Sequence, residues 1–282
     1  METKLKIRPY ARLLTMLGEQ LITNEQIALA ELIKNAYDAD ADWVKICFEG
    51  FECDIENKNI KALPQSKIII EDNGCGMTLD VIRNSWMNPA TPNKKSENIN
   101  DIQRTPKKKR IIQGEKGIGR FAILKLGRDI KIYTRPEGDN SEYCINYDLS
   151  SYDDDFLTEE GERKALYIDD IDIVVTDARP QYFVPRTIVV NNTTYKKDNH
   201  HGTRIEIANL KGQWSYEKID WVSKSSIKLE SIFDRITHKS SPQHIEIGFE
   251  CNSQRMLFSD QAIEELSSLL QNSSVLKITE GQ

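Results

Sequence analysis

The order of elements along these 282 residues predicts an α+β fold. It is read as a two-layer sandwich, a mixed β-sheet with its helices on one face, plus a C-terminal α/β extension. Two observations carry this. A helical run is followed by two strand-like runs, a polar stretch, a second helix and then several strands, an order that lacks the alternation of a doubly wound parallel sheet. The strand runs DIKIYTR, EYCINYDL, IDIVVTD and GTRIEIANL then follow without convincing helices between them.

The elements are justified in turn. Residues 24–41, NEQIALAELIKNAYDADA, predict a helix: Asn24 is a good N-cap, Glu25 suits the positive end, and Ala and Leu dominate. WVKICFE at 43–49 alternates as a strand does, and after a polar loop KIIIEDNG is a short apolar strand ending in a turn. From 87 to 113 the chain is polar, with three prolines and many lysines and no periodicity, which is the pattern of a lid or a disordered segment. GEKGIGRFAILKLG resumes as a glycine loop entering a helix. Residues 213–240 read as helical and HIEIGFEC at 244–251 as a late strand, so a smaller second unit over 213–282 is expected after a first over 1–212.

Composition bounds the function classes. With 39% hydrophobic and 29% charged residues the chain is that of an ordinary soluble protein, and no stretch approaches the roughly 18 apolar residues of a membrane span. No signal-peptide pattern is present at the start, so a cytoplasmic protein without membrane partners is expected. Five scattered cysteines without a CxxC pair argue against a disulfide framework or a zinc site. The net charge of −6 repels nucleic acid overall. Lys94, Lys95 and the run Lys107 to Arg110 form the one basic patch, whose plain reading is a solvated loop.

Four groups of residues carry chemistry. Glu31, Asn35 and Asp38 are spaced four and three apart on one helix face, either a ligand-facing stripe or an exposed polar one capped by Lys34. Glu71-Asp72-Asn73-Gly74-Cys75-Gly76-Met77 ends a buried strand, where a carboxylate can accept from an exocyclic amine or simply cap a turn. Gly114 to Gly119 precede a helix whose free N–H groups suit phosphates. Gly117, Ile118 and Gly119 with Ala122 also meet the loose Rossmann pattern but lack the strand before it, and no Walker A sequence exists. Gly202-Thr203 opens a strand, where the hydroxyl is either a water-mediated contact or an ordinary strand residue.

Taken in order, ELIKNAYDADA, EDNGCGM, GEKGIG and HGTRIEI resemble the N box, the DxGxG box, the GxxGxG box and the late Gly-Thr motif of the GHKL ATPases, over roughly residues 10 to 210. The resemblance implies a Bergerat ATP-binding fold in the chaperone, mismatch-repair and MORC-like branch. It implies Glu31 as general base, Asn35 as Mg²⁺ ligand and Asp72 as acceptor of the adenine amino group, with Asp38 also in the nucleotide site. Gly74, Gly76 and Met77 would wall the base. Gly114, Gly117 and Gly119, with Ile118 between them and Lys116 as an extra cation, would meet the phosphates. Thr203 would bridge to adenine through water. Only about two dozen residues, none a histidine, precede the helix, which disfavours a histidine-kinase-type phosphotransferase. The expected activity is Mg²⁺-dependent binding and slow hydrolysis of ATP, driving closure of a lid at 87–113 and ATP-dependent homodimerisation. The alternatives are a catalytically silent nucleotide sensor and the histidine-kinase-type phosphotransferase, and the basic lid could meet nucleic acid or a protein client. A completing Lys or Arg is not identified; Lys224, Lys228 and Arg235 are the candidates.

Overall fold

The computed structural model describes residues 7–14, 16, 22–88, 103–114, 119, 122–149, 166–196, 200–226, 229 and 243–258. Its helices are α1 (Glu25–Asp38), α2 (Leu79–Val81, continuing as a π turn Ile82–Trp86), α3 (Ala122–Leu126) and α4 (Tyr216–Ser226). Its strands are β1 (Trp43–Glu49), β2 (Glu52–Asp54), β3 (Asn59–Lys61), β4 (Lys67–Asp72), β5 (Gly127–Arg135), β6 (Glu142–Asp148) and β7 (Val174–Ala178). Strands β8 (Thr187–Val190), β9 (Thr193–Lys196), β10 (Gly202–Leu210), β11 (Glu246–Cys251) and β12 (Gln254–Met256) follow.

Eight strands form one sheet in the order β12-β11-β1-β4-β10-β5-β6-β7. Only the β1–β11 pair is parallel, so the sheet is mixed as expected. Its core face is set by period-two alternation. Ile46, Ile70, Ile205, Ile132 and Ile145 lie in a row, each paired with the next across β1, β4, β10, β5 and β6. All five are buried in the main core with Ala28, Leu29, Leu32 and Ile33 of α1. Helix α1 starts where the sequence predicts, because the Asn24 side chain accepts from the Ile27 N–H at 2.9 Å. It packs against both α3 and α4.

The other face of the sheet is partly covered by the β8–β9 hairpin, under which Trp43 is buried with Ile188, Val190 and Tyr195. The sequence reading missed this hairpin and the β2–β3 hairpin. Both have three- or four-residue strands, too short to show periodicity, and in the first Asn191 takes φ +49 at the turn.

Beyond residue 212, the described parts belong to the same layers. Trp214 is buried against Phe48 with ring centroids 5.6 Å apart, Lys218 pairs with Glu25 of α1 at 3.1 Å, and β11 lies beside β1. Of the helical stretch expected over 213–240, residues 216–226 are helical and most of the rest lies outside the described residues. Among the described residues no helix is long and apolar enough to cross a membrane.

Glu246 ties the lead of β11 to the covering hairpin. Its carboxylate accepts from Asn191 at 3.1 Å and Thr193 at 2.9 Å, with the His244 ring 4.0 Å away. Burial pushes this carboxyl up, but the nearby His244 ring and the bonds from Asn191 and Thr193 outweigh it and hold it at about 2. A folded pKa below the unfolded value of about 4.3 stabilises the fold above that value, and the contribution is lost as pH falls through about 2. Glu246→Gln should therefore cost on the order of 1 kcal/mol at pH 7, once solvent screening is allowed for. In urea titrations its deficit against wild type should narrow by about half at pH 3.

Candidate functional site

The first half of the site is the outward stripe of α1. Glu31 and Asn35 stand one turn apart and both face the turn before α3. A Cβ built on Gly119 would lie 3.4 Å from Glu31 Oε2 and 3.7 Å from Asn35 Oδ1, so a glycine here keeps the backbone close to both groups. The other carboxylate oxygen, Glu31 Oε1, is held by Lys34 Nζ at 2.6 Å.

Asp38, the third member of the stripe, does something different. Its oxygens accept from the Gln113 N–H at 2.8 Å and the Gly114 N–H at 2.9 Å. The Gly114 N–H expected at a phosphate is thus given to Asp38, and Asp38 holds the backbone at 113 and 114. Lys116, Gly117 and Ile118 lie outside the described residues, as do Lys228 and Arg235. Lys224 pairs with Asp220 at 2.7 Å.

The segment from 103 to 114 is anchored further. Asp40 accepts from the Lys107 and Lys108 N–H groups at 2.9 and 3.3 Å, and Lys108 Nζ reaches Asp42 at 2.6 Å. Burial would raise the Asp42 carboxyl, but Lys108 and Asn73 hold it below the usual carboxylate range. Lys107 pairs with Glu137. Arg110 is fully buried, donating to the carbonyls of Tyr37 at 3.1 Å, Ala41 at 2.8 Å and His244. The solvated-loop reading of Lys107 to Arg110 thus holds for Lys107 and Lys109, which are exposed, and is corrected for Arg110, which is buried on backbone carbonyls. The sequence signal was absent, because an arginine within a basic run looks the same whether buried or exposed.

The second half of the site is a polar row two residues along from the isoleucine row. Asp72 of β4 pairs with Thr203 of β10, and Thr203 with Thr134 of β5. Asp72 is buried and accepts from the Gly74 N–H at 2.7 Å. The turn that follows needs its glycines: Gly76 has φ +67, and a Cβ there would lie 2.0 Å from the Arg135 carbonyl oxygen. Met77 is then held by its N–H on Thr134 Oγ1 at 2.9 Å. Thr134 was missed from the sequence, since it sits at the end of an ordinary strand and only the register brings it to Thr203.

Behind the Gly74 turn is a cavity of about 250 Å³, lined in part by Ala39, Asn73, Cys75 and Lys107. It contains neither Glu31 nor Asn35. Burial, with Asp72 and Asp40 nearby, raises the Cys75 thiol pKa. His201 places Nδ1 at 2.6 Å from the Gly74 carbonyl oxygen, as a loop residue would. Among the described residues no group of three or more His, Cys, Asp or Glu could hold a metal ion.

Residues 22–172 match the family described as histidine kinase-, DNA gyrase B-, and HSP90-like ATPase. The chaperone protein HtpG of Campylobacter jejuni is 28% identical over 170 residues, 56% of this chain and 27% of HtpG. The mitochondrial TNF receptor-associated protein 1 homolog of Dictyostelium discoideum is 30% identical over 135 residues, 44% of this chain and 18% of that one. A putative type II restriction enzyme of Herpetosiphon aurantiacus, HgiDII, is 30% identical over 125 residues, 44% of this chain and 17% of its own. The matched part thus spans about a quarter or less of these relatives.

Arg110→Met would strip three carbonyls of a buried donor, and should cost on the order of 3 kcal/mol in urea unfolding. Lys107→Ala, which breaks a half-exposed ion pair, should cost about 1 kcal/mol or less in the same experiment.

Proposed function

This chain belongs to the histidine kinase-, DNA gyrase B-, and HSP90-like ATPase family, and from that premise we propose that it binds Mg·ATP between α1 and the Asp72–Thr203–Thr134 row and hydrolyses it slowly. The observation that carries the reading is the convergence of Glu31 Oε2 and Asn35 on the backbone at Gly119. A carboxylate and an amide oxygen beside the turn that leads into a helix start support the roles of proton acceptor and neutral oxygen ligand.

Glu31 is the general base. One oxygen is tied to Lys34, and the other faces the Gly119 turn, where it can take a proton from water as the water oxygen attacks the terminal phosphorus. The bond from that phosphorus to the bridging oxygen breaks, giving ADP and phosphate. Asn35 supplies the protein's oxygen to Mg²⁺, a hard cation that keeps several waters and otherwise binds through substrate phosphates. The absence of a three-residue ligand cluster among the described residues suits such a site better than a protein cage. Mg²⁺ there would neutralise phosphate charge. Asp72 accepts from the adenine amino group, a charged hydrogen bond worth about 1.5–3 kcal/mol. Met77 walls the base and Thr203 contacts it through water.

Steady-state hydrolysis and direct ATP binding test this. Glu31→Ala should lose about 10²–10⁴-fold in turnover while binding is retained, and Asp72→Asn should weaken binding itself. Equal turnover in wild type and Glu31→Ala would refute the assignment of Glu31.

ATP is further proposed to close the lid segment and favour pairing of two chains, in the manner of segments ordered by a terminal phosphate. Sedimentation with a nonhydrolysable ATP analogue should show a larger dimer fraction than without it. Unchanged mass would remove dimerisation from the proposal. One of the relatives above, HtpG, carries a chaperone name, which supports a chaperone-like role over a nucleic-acid one, as does the internal pairing of Lys107, Lys108 and Arg110.

A further inference from the structure

Thr134 is fully buried, and its single hydroxyl meets three groups. It accepts from the Met77 N–H at 2.9 Å, lies 3.1 Å from the Gly202 carbonyl oxygen and lies 3.3 Å from Thr203 Oγ1. A hydroxyl has one proton and two lone pairs. The carbonyl oxygen at 3.1 Å can only accept, and it is the nearer of the two remaining groups, so the Thr134 proton goes there. The lone pair left on Thr134 then faces Thr203, and Thr203 must be the donor in their contact. Once its proton is given to Thr134, Thr203 turns only lone pairs toward the rest of the site. Next to it, across the β10–β4 register, stands the Asp72 carboxylate, an acceptor as well.

We infer that Thr134 is a specificity-determining residue that makes the base-facing wall of the site acceptor-only, so that the site selects a 6-aminopurine nucleotide over a 6-oxopurine one. This rests on the proposed adenine nucleotide site and adds to it the buried residue that fixes the direction of the Thr203 hydroxyl. An acceptor wall takes the two N–H donors of a 6-amino group and refuses the lone pairs of a 6-oxo group. The polarity also passes through one water. A water that gives one proton to Thr203 and the other to the ligand meets a lone pair at N1 of a 6-aminopurine, where a 6-oxopurine carries N–H. Thr134 reaches the base only through Thr203, so it is a positioning residue rather than a contact.

ATP and inosine triphosphate differ at this edge and keep the same sugar and phosphates, so the ratio of their dissociation constants reads the wall directly. In calorimetric or fluorescence titrations with Mg²⁺, wild type should prefer ATP. Thr134→Val frees the Thr203 hydroxyl to rotate and donate, and should reduce the preference roughly 3- to 10-fold. Thr134→Ser, which keeps the hydroxyl, should retain the wild-type ratio. Loss of the Met77 anchor alone would weaken both nucleotides equally, so an unchanged ratio in Thr134→Val would overturn the inference. If Thr134→Val does not fold, Thr203→Val serves instead: it must also lower the ratio, and an unchanged value would overturn the inference equally. Wild type binding neither nucleotide would overturn the ATP site itself. Wild type binding both equally would overturn the base selection and leave the site standing.

Discussion

Sliding β10 by one residue against β4 would bring Gly202 or Arg204 opposite Asp72 and turn Ile205 and Ile207 out of the core. That register is the constraint on which the Asp72 end of the candidate site depends. It is enforced two residues away from the polar row, by isoleucines that pair across five strands and are each buried under the helices. Burying one such side chain is worth roughly 1.5–3 kcal/mol, more than the net of about 0.5–1.5 kcal/mol for one polar contact in the neighbouring row. The apolar row therefore sets the alignment and the polar row inherits it. Asp72, Thr203 and Thr134 need no attraction of their own to stand in line.

The other end of the site is organised by charge. Asp38, Asp40 and Asp42 lie within five residues at and beyond the end of α1, where their mutual repulsion and the negative helix end would both be unfavourable. Each is answered by the segment from 103 to 114: two backbone N–H groups at Asp38, two at Asp40, and the Lys108 ammonium at Asp42. Arg110 lies beneath them on the carbonyls of Tyr37 and Ala41, with its guanidinium 4.5 Å over the Tyr37 ring. The segment from 103 to 114 is thus tied closely to the end of α1, and Lys107 and Lys108 balance acids of their own chain.

The fold and half of the site were legible in the sequence for a common physical reason. Asn24, the alternation of WVKICFE and the spacing of Glu31 and Asn35 act over a few residues, so periodicity and capping expose them. The DxGxG turn is legible because Gly76 answers a steric demand that no other residue meets. Thr134 and Arg110 were not legible, because their roles come from partners far along the chain: Thr203 is 69 residues from the first, and His244 is 134 from the second. Asp38 was placed on the correct face and given a ligand, whereas in the structure it binds backbone from 75 and 76 residues later. Spacing identifies a face; it does not say what arrives there.

The parallel pairing of β1 with β11 has a consequence for how the chain is made and handled. The two strands are joined side to side although about 203 residues separate them. One flank of β1, with Val44, Ile46 and Phe48 in its core row, must wait until nearly the whole described chain has been synthesised. Closing so long a loop is slow, and an uncovered flank of an apolar strand is a template for pairing with another chain. A shortened version ending at 212 would retain every motif named above. It would also keep β1 as a permanent open edge, and so trade a nucleotide-binding unit for an aggregation-prone one.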